Sequence, residues 1–171
     1  IGKRKLSFSV VRYGNVMGSR GSVIPEFLKQ KKSGSINITN KNMTRFNITL
    51  QQSVDLVILA LKKSEGGEIF VPKIPSYKIL DLAKAIAPEA KINIIGTRPG
   101  EKIHEELVTK SESIFAIELK KYFVILTSMI NYSNKDYSYL KEGKKIKKEF
   151  SYKSNTNSEF LSFEDIKKLI K

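Results

Sequence analysis

The 171-residue chain is read as an α/β fold. Short apolar runs rich in β-branched and aromatic residues alternate with segments of helical period, and Gly, Pro, Asn or Ser stands at nearly every change of period. Residues 6–12 (LSFSVVR) predict a buried strand running into a glycine-studded loop over 13–22. Pro25 opens a short helix over 26–32, as suits proline in a first turn. A strand is expected at 36–39, then a polar turn at 40–42. Thr49 and Gln52 make a capping-box pattern before Val54, Leu56, Val57, Leu59, Ala60 and Leu61, a helix apolar round much of its circumference and so expected to be well buried. Gly66 and Gly67 end it. Residues 68–71 predict a strand, Ser76 a cap for a helix over 79–87, and 91–96 (KINIIG) another strand. After Thr97-Arg98-Pro99-Gly100 a short helix is expected over 101–108. A strand over 122–127, a polar lysine-rich connection over 131–148 and a last helix capped by Ser162 and ending at Lys171 complete the order.

Composition bounds what such a fold can do. Hydrophobic residues at 40% and charged residues at 28% are globular values, and the length points to about one domain. No apolar run approaches the roughly 20 residues of a membrane span, and the lysine-rich start has no signal-peptide segment. A cytoplasmic protein with no membrane span is expected. The absence of cysteine excludes disulfides and thiol chemistry, and the single histidine argues against a metal site. The chain starts at Ile1, in what reads as the approach to a strand, which suggests that a preceding part is missing.

The net charge of +14 raises nucleic acid as a partner. Its distribution argues against one. Residues 1–110 carry 19 basic and 9 acidic residues and residues 111–171 carry 12 and 8, so no single arm holds the excess. The local run Lys144, Lys145, Lys147 and Lys148 stands near no nucleic-acid-binding motif. No nucleic-acid function is expected.

Three segments could carry chemistry. The loop at Gly14–Ser22 could admit a phosphate to its backbone, but its spacing is neither a dinucleotide fingerprint nor a P-loop. Arg45, beside Phe46, could pair with a phosphate bidentately or cap a strand. Arg98 and Glu101, held by Pro99-Gly100, could read a phosphate and sugar hydroxyls or form an exposed ion pair. His104 with Glu105 and Glu106 invites a metal reading, against which a satisfied histidine is the commoner outcome. Tyr137 and Lys141 have the tyrosine-x3-lysine spacing of short-chain dehydrogenases, but no glycine fingerprint precedes them. That match is read as accidental.

Residues 12–27 (RYGNVMGSRGSVIPEF), 43–57 (MTRFNITLQQSVDLV), 66–76 (GGEIFVPKIPS), 94–107 (IIGTRPGEKIHEEL) and 152–170 (YKSNTNSEFLSFEDIKKLI) together resemble the C-terminal half of the inverting UDP-N-acetylglucosamine 4,6-dehydratases. These are extended short-chain dehydrogenase/reductases of the CapD-like polysaccharide-biosynthesis group. The resemblance implies the last strands of a Rossmann sheet plus a small α/β substrate domain, interleaved over 1–110, with 111–171 as a C-terminal extension completing the substrate domain. The dinucleotide loop and the catalytic tyrosine, lysine and aspartate of the family precede the segment matching Arg12, so no catalytic residue is expected here and the piece alone is expected to be inactive. In the family, bound NADP takes a hydride from C4 of the sugar; water is lost across C5 and C6, and the hydride returns to C6 with inversion at C5. The product is a 4-keto-6-deoxy sugar nucleotide for pseudaminic acid or other surface glycans such as O-antigen or capsule.

By the same resemblance, Tyr13 and Gly14 would lie near the nicotinamide and sugar, and Asn15 would bond the diphosphate or sugar. Ser22 and Val23, with Ile38 and Thr39, would line the uracil pocket. Arg45 and Arg98 would grip the diphosphate, and Glu101 would accept from the ribose hydroxyls. A UDP-sugar is the implied substrate, and a homo-oligomer is expected of the full-length enzyme. UDP-N-acetylhexosamine 4-epimerases of the same fold share a uridine diphosphate site, so 4-epimerisation stays open, as does a noncatalytic truncated remnant.

Overall fold

A computed structural model describes residues 6–126 and 137–170. The chain divides into two compact units, each assembled from three separate stretches. One unit comprises Ile1–Tyr13, Gln51–Lys73 and Leu107–Tyr152; the other comprises Gly14–Leu50, Ile74–Glu106 and Lys153–Lys171.

The first unit is built on a five-stranded sheet ordered Val10–Val11, Glu68–Pro72, Tyr122–Leu126, Ala116–Glu118, Lys144–Lys145. The first pair runs parallel and the others antiparallel. One face carries Phe70, Val124, Leu126 and Ile117, packed with Leu56 and Ala60 of the helix Leu50–Lys63 and with Tyr137 and Tyr139. Tyr139 meets Phe70 edge-on at 5.9 Å, a favoured aromatic geometry, and its hydroxyl donates to the carbonyl of Lys63. Gly66 and Gly67, with φ of 109° and 92°, turn the chain from the helix into the strand Glu68–Pro72. The fully buried Glu68 accepts from the amides of Glu65 and Gly66, at 2.5 and 2.8 Å, and so fastens that turn.

In the second unit the strand Thr44–Ile48 pairs in parallel with Asn15–Val16 and antiparallel with Ser76–Lys78. Ser35–Ile38 pairs in parallel with Lys91–Ile94. The helices Val23–Lys31, Ile79–Ile86 and Phe163–Leu169 contribute Ile24, Phe27, Leu82, Ala83, Ile86 and Ile166 to one core with Ile36, Ile38 and Tyr77. Ser162 and Asp165 form the expected cap of the last helix, each side chain bonding the other's backbone amide.

Several sequence expectations are corrected. Of residues 6–12, only Val10–Val11 is strand. The helix Leu50–Lys63 is not buried round its circumference. Ser53, Leu56 and Ala60 are inside, whereas Leu50, Val54, Ile58 and Leu61 are exposed, Leu61 at 77%. Ser76 is a buried strand residue, its hydroxyl accepting from Asn157, and the helix after it begins at Ile79 without a side-chain cap. No helix forms over 101–108, where Glu106–Val108 is a strand and Glu105 bonds the Phe46 amide 59 positions away. Tyr137 and Tyr139, read as part of a polar connection, are buried in the first core. Residues 131–136 of that connection, Thr127 and Lys171 lie outside the described residues.

Arg12 ties the start of the first unit to a later stretch. Its guanidinium forks onto both carboxylate oxygens of Glu112 at 2.9 and 2.8 Å, and also donates to the carbonyl of Leu107. Glu112 also completes a capping box with Thr109. The Arg12 hydrogen bond, with help from the Thr109 amide and hydroxyl, holds the Glu112 carboxyl down at about 2 against the cost of its partial burial. A carboxyl lowered on folding adds stability above its ordinary titration range and loses it as pH falls towards the folded value. With both side chains partly exposed, Glu112→Gln is expected to cost about 1–2 kcal/mol at pH 7. Urea unfolding of protein and variant should converge at pH 2; an equal gap at both pH values would refute this.

Candidate functional site

Successive amides of the strand Thr44–Ile48 point to opposite sides, and each needs a partner. On the side where Asn15–Val16 pairs, that short strand reaches only the later half. Residues 103–105 supply the rest. The amide of Thr44 donates to the carbonyl of Ile103 at 3.1 Å, and the amide of Phe46 donates to Oε2 of Glu105 at 2.8 Å. Nδ1 of His104 lies 2.8 Å from the Thr44 hydroxyl, itself 2.7 Å from Oγ of Ser154. The amide of Glu105 donates to that same Oγ and its carbonyl accepts from the Ser154 amide. Burial, with Arg45 and Lys153 nearby, pushes the His104 ring down from its ordinary value.

The segment before it is a tight turn. The amide of Glu101 donates to the carbonyl of Arg98 at 3.0 Å, with Pro99 and Gly100 at the two central positions and Gly100 at φ 79°. That is a type II turn, whose third position demands positive φ and therefore glycine. The Glu101 carboxylate accepts from the Arg98 amide at 3.1 Å and from the Thr39 hydroxyl at 3.2 Å.

This frame walls a cavity of about 520 Å³. Asn15, Ser22, Val23, Ile38, Thr39, Arg45, Arg98 and Glu101 all line it, so eight positions from five separate stretches of sequence meet in one place. Arg45 is strongly held. Nη1 donates to the carbonyls of Thr44 and Ile103, Nη2 to Sδ of Met43, and Nε lies 3.8 Å from Oε1 of Glu105. The fork anticipated at Arg45 is thus largely committed to the protein, while Arg98 is exposed and makes no ion pair among the described residues. Nδ2 of Asn15 donates to Oε1 of Glu105 at 2.8 Å. The Ser22 hydroxyl, at the start of the helix Val23–Lys31, is buried, caps nothing and has no hydrogen-bond partner among the described residues.

Tyr13 and Gly14 are not on the cavity wall. Tyr13 packs against the core of the first unit. A Cβ at Gly14 would stand 2.5 Å from Cβ of Phe46, so this glycine is required by close packing of the backbone on Phe46. Burial raises the Tyr137 hydroxyl above its ordinary value, the opposite of what a catalytic tyrosine needs. Glu105 was missed as a site residue, since its run with His104 and Glu106 suggests metal and its partners lie 59 and 90 residues away.

The family model for polysaccharide biosynthesis proteins matches residues 1–127. The chain belongs to this family. It is 42% identical over 176 residues to an inverting UDP-N-acetylglucosamine 4,6-dehydratase of Campylobacter jejuni subsp. jejuni serotype O:2, covering 99% of this chain and 52% of the relative. It is 43% identical over 175 residues to a UDP-glucose 4-epimerase of Rickettsia bellii, covering 97% of this chain and 50% of the relative. The X-ray structure of Pen from Bacillus thuringiensis matches with a TM-score of 0.82 at 39% identity, over 96% of this chain and 49% of that one. The chain therefore spans about half the length of the curated relatives it matches. The fold is α/β, corresponding to about half of an extended short-chain dehydrogenase/reductase.

The packing role of Gly14 can be tested against a second glycine of the same loop. Gly14→Ala is expected to cost about 1–3 kcal/mol through overpacking on Phe46. At Gly18 a Cβ would meet nothing within 4 Å, so Gly18→Ala is limited to its left-handed φ of 71°, about 1 kcal/mol. Thermal unfolding of both variants checks the order; a harmless Gly14→Ala would show that the backbone yields there.

Proposed function

We propose that this chain forms the UDP-sugar-binding part of a sugar-nucleotide 4,6-dehydratase of polysaccharide biosynthesis. The observation that carries the reading is the meeting of all eight substrate positions at one cavity. Its chemistry suits a nucleoside diphosphate. Arg45 is a cation held in place by carbonyls, so little side-chain freedom is lost when it meets an anion. Arg98 has a whole fork to offer to phosphate oxygens. Glu101, fixed by the turn and by Thr39, accepts from ribose hydroxyls, and the free Ser22 hydroxyl can serve the base.

NADP is the proposed hydride carrier, able when bound to take and return the hydride of a 4,6-dehydration. Tyr13 and Gly14, the two positions assigned to it by resemblance, are accounted for by packing and do not line the cavity. This chain's residues therefore fit the substrate rather than the cofactor, and no step is derived through NADP from them. The 4-epimerase reading rests on the Rickettsia relative, whose identity is as high. NMR of products from UDP-N-acetylglucosamine separates the two: a 4-keto-6-deoxy sugar supports dehydration, and the C4 epimer supports epimerisation.

Binding tests the site itself. Arg98→Ala in the protein carrying this chain should weaken UDP by about 1.5–3 kcal/mol, the range for hydrogen bonds to charged groups. Glu101→Gln should cost less, because its amide oxygen still accepts. Calorimetry showing UDP bound unchanged by Arg98→Ala would remove the assignment.

A further inference from the structure

Glu105 divides its two carboxylate oxygens between different tasks. Oε2 stands in for a strand carbonyl, accepting from the Phe46 amide at 2.8 Å. Oε1 faces two residues of the cavity wall, accepting from Nδ2 of Asn15 at 2.8 Å and lying 3.8 Å from Nε of Arg45. We infer that Glu105 is the positioning residue of this site, setting the amide of Asn15 and the guanidinium of Arg45 for the diphosphate sugar. The inference rests on the UDP-sugar reading given above.

Three observations support it. A carboxylate only accepts, so it settles which way the Asn15 amide lies: the nitrogen turns to Glu105, leaving the oxygen and one N–H uncommitted. Glu105 is itself anchored, because its own amide and carbonyl are bonded to Ser154 and its neighbour His104 is bonded to Thr44. Its charge is also poorly hydrated. Burial raises its pKa, opposed by the Phe46 amide, Arg45 and Asn15, in that order. Such a group attracts Arg45 more strongly than an exposed carboxylate would.

The split between oxygens provides the test. In Glu105→Gln the amide oxygen can keep the Phe46 bond, while the amide nitrogen meets two donors, Asn15 and Arg45. Calorimetry with UDP on the protein carrying this chain should show binding weakened roughly tenfold, in line with loss of charge-assisted positioning, at an unchanged melting temperature. Combined with Asn15→Ala and Arg45→Ala, Glu105→Gln should weaken binding no further. A lowered melting temperature for Glu105→Gln, wild-type affinity in that variant beside a weakened Arg45→Ala, or a full effect in the combined background would each overturn the inference. If Arg45→Ala and Arg98→Ala both bind UDP normally, the cavity is misassigned and the UDP-sugar reading fails first.

Discussion

A strand buried along most of its length must have every amide answered, and Thr44–Ile48 is answered only in part by other strands. Unbonded, each such amide would cost about 1–3 kcal/mol. Residues 103–105 meet the need with one backbone carbonyl and one carboxylate. The rest of the site depends on this substitution. A strand carbonyl in that place would have been neutral and would have ended there, whereas a carboxylate brings a second oxygen and a negative charge to the cavity wall. The turn at Arg98–Glu101 sits just ahead of this anchored segment, so the two arginines share one frame although 53 positions separate them in the sequence.

The same device recurs through the chain. Glu68 answers amides at 65 and 66, Glu65 that of Ser138, Glu112 that of Thr109, Glu101 that of Arg98, and Asp165 that of Ser162. With only 17 acidic residues against 31 basic ones, many carboxylates are occupied with backbone. Others pair with lysine, as Glu142 does with Lys63 and Glu118 with Lys73. Isolated surface pairs add little stability in any case.

Elements whose signal is local were legible. The strand around Phe70, the strand around Val124 and the Ser162 cap follow from β-branched runs or a four-residue pattern. The failures share a cause. At 101–108 the local pattern suits a helix, but Glu105 bonds Phe46 and Asn15, and these tertiary partners outweigh a weak propensity. Ser76 resembles a cap, yet Asn157, 81 positions on, claims its hydroxyl. In the helix Leu50–Lys63, hydrophobicity on all sides predicted burial on all sides, and only one stripe is covered within these residues. That eight positions chosen by resemblance line one cavity has another reason: a motif carries information about a distant partner that propensity lacks.

The bond between Thr44 and Ser154 spans 110 residues, and that between Arg12 and Glu112 spans 100. During synthesis at about 5–20 residues per second, Ser154 is therefore made roughly 5–20 s after the strand bearing Arg45. Throughout that interval the Thr44 hydroxyl and the Glu105 amide lack the Ser154 hydroxyl that joins them. The frame of the cavity is therefore completed by a residue far along the sequence from the strand it braces.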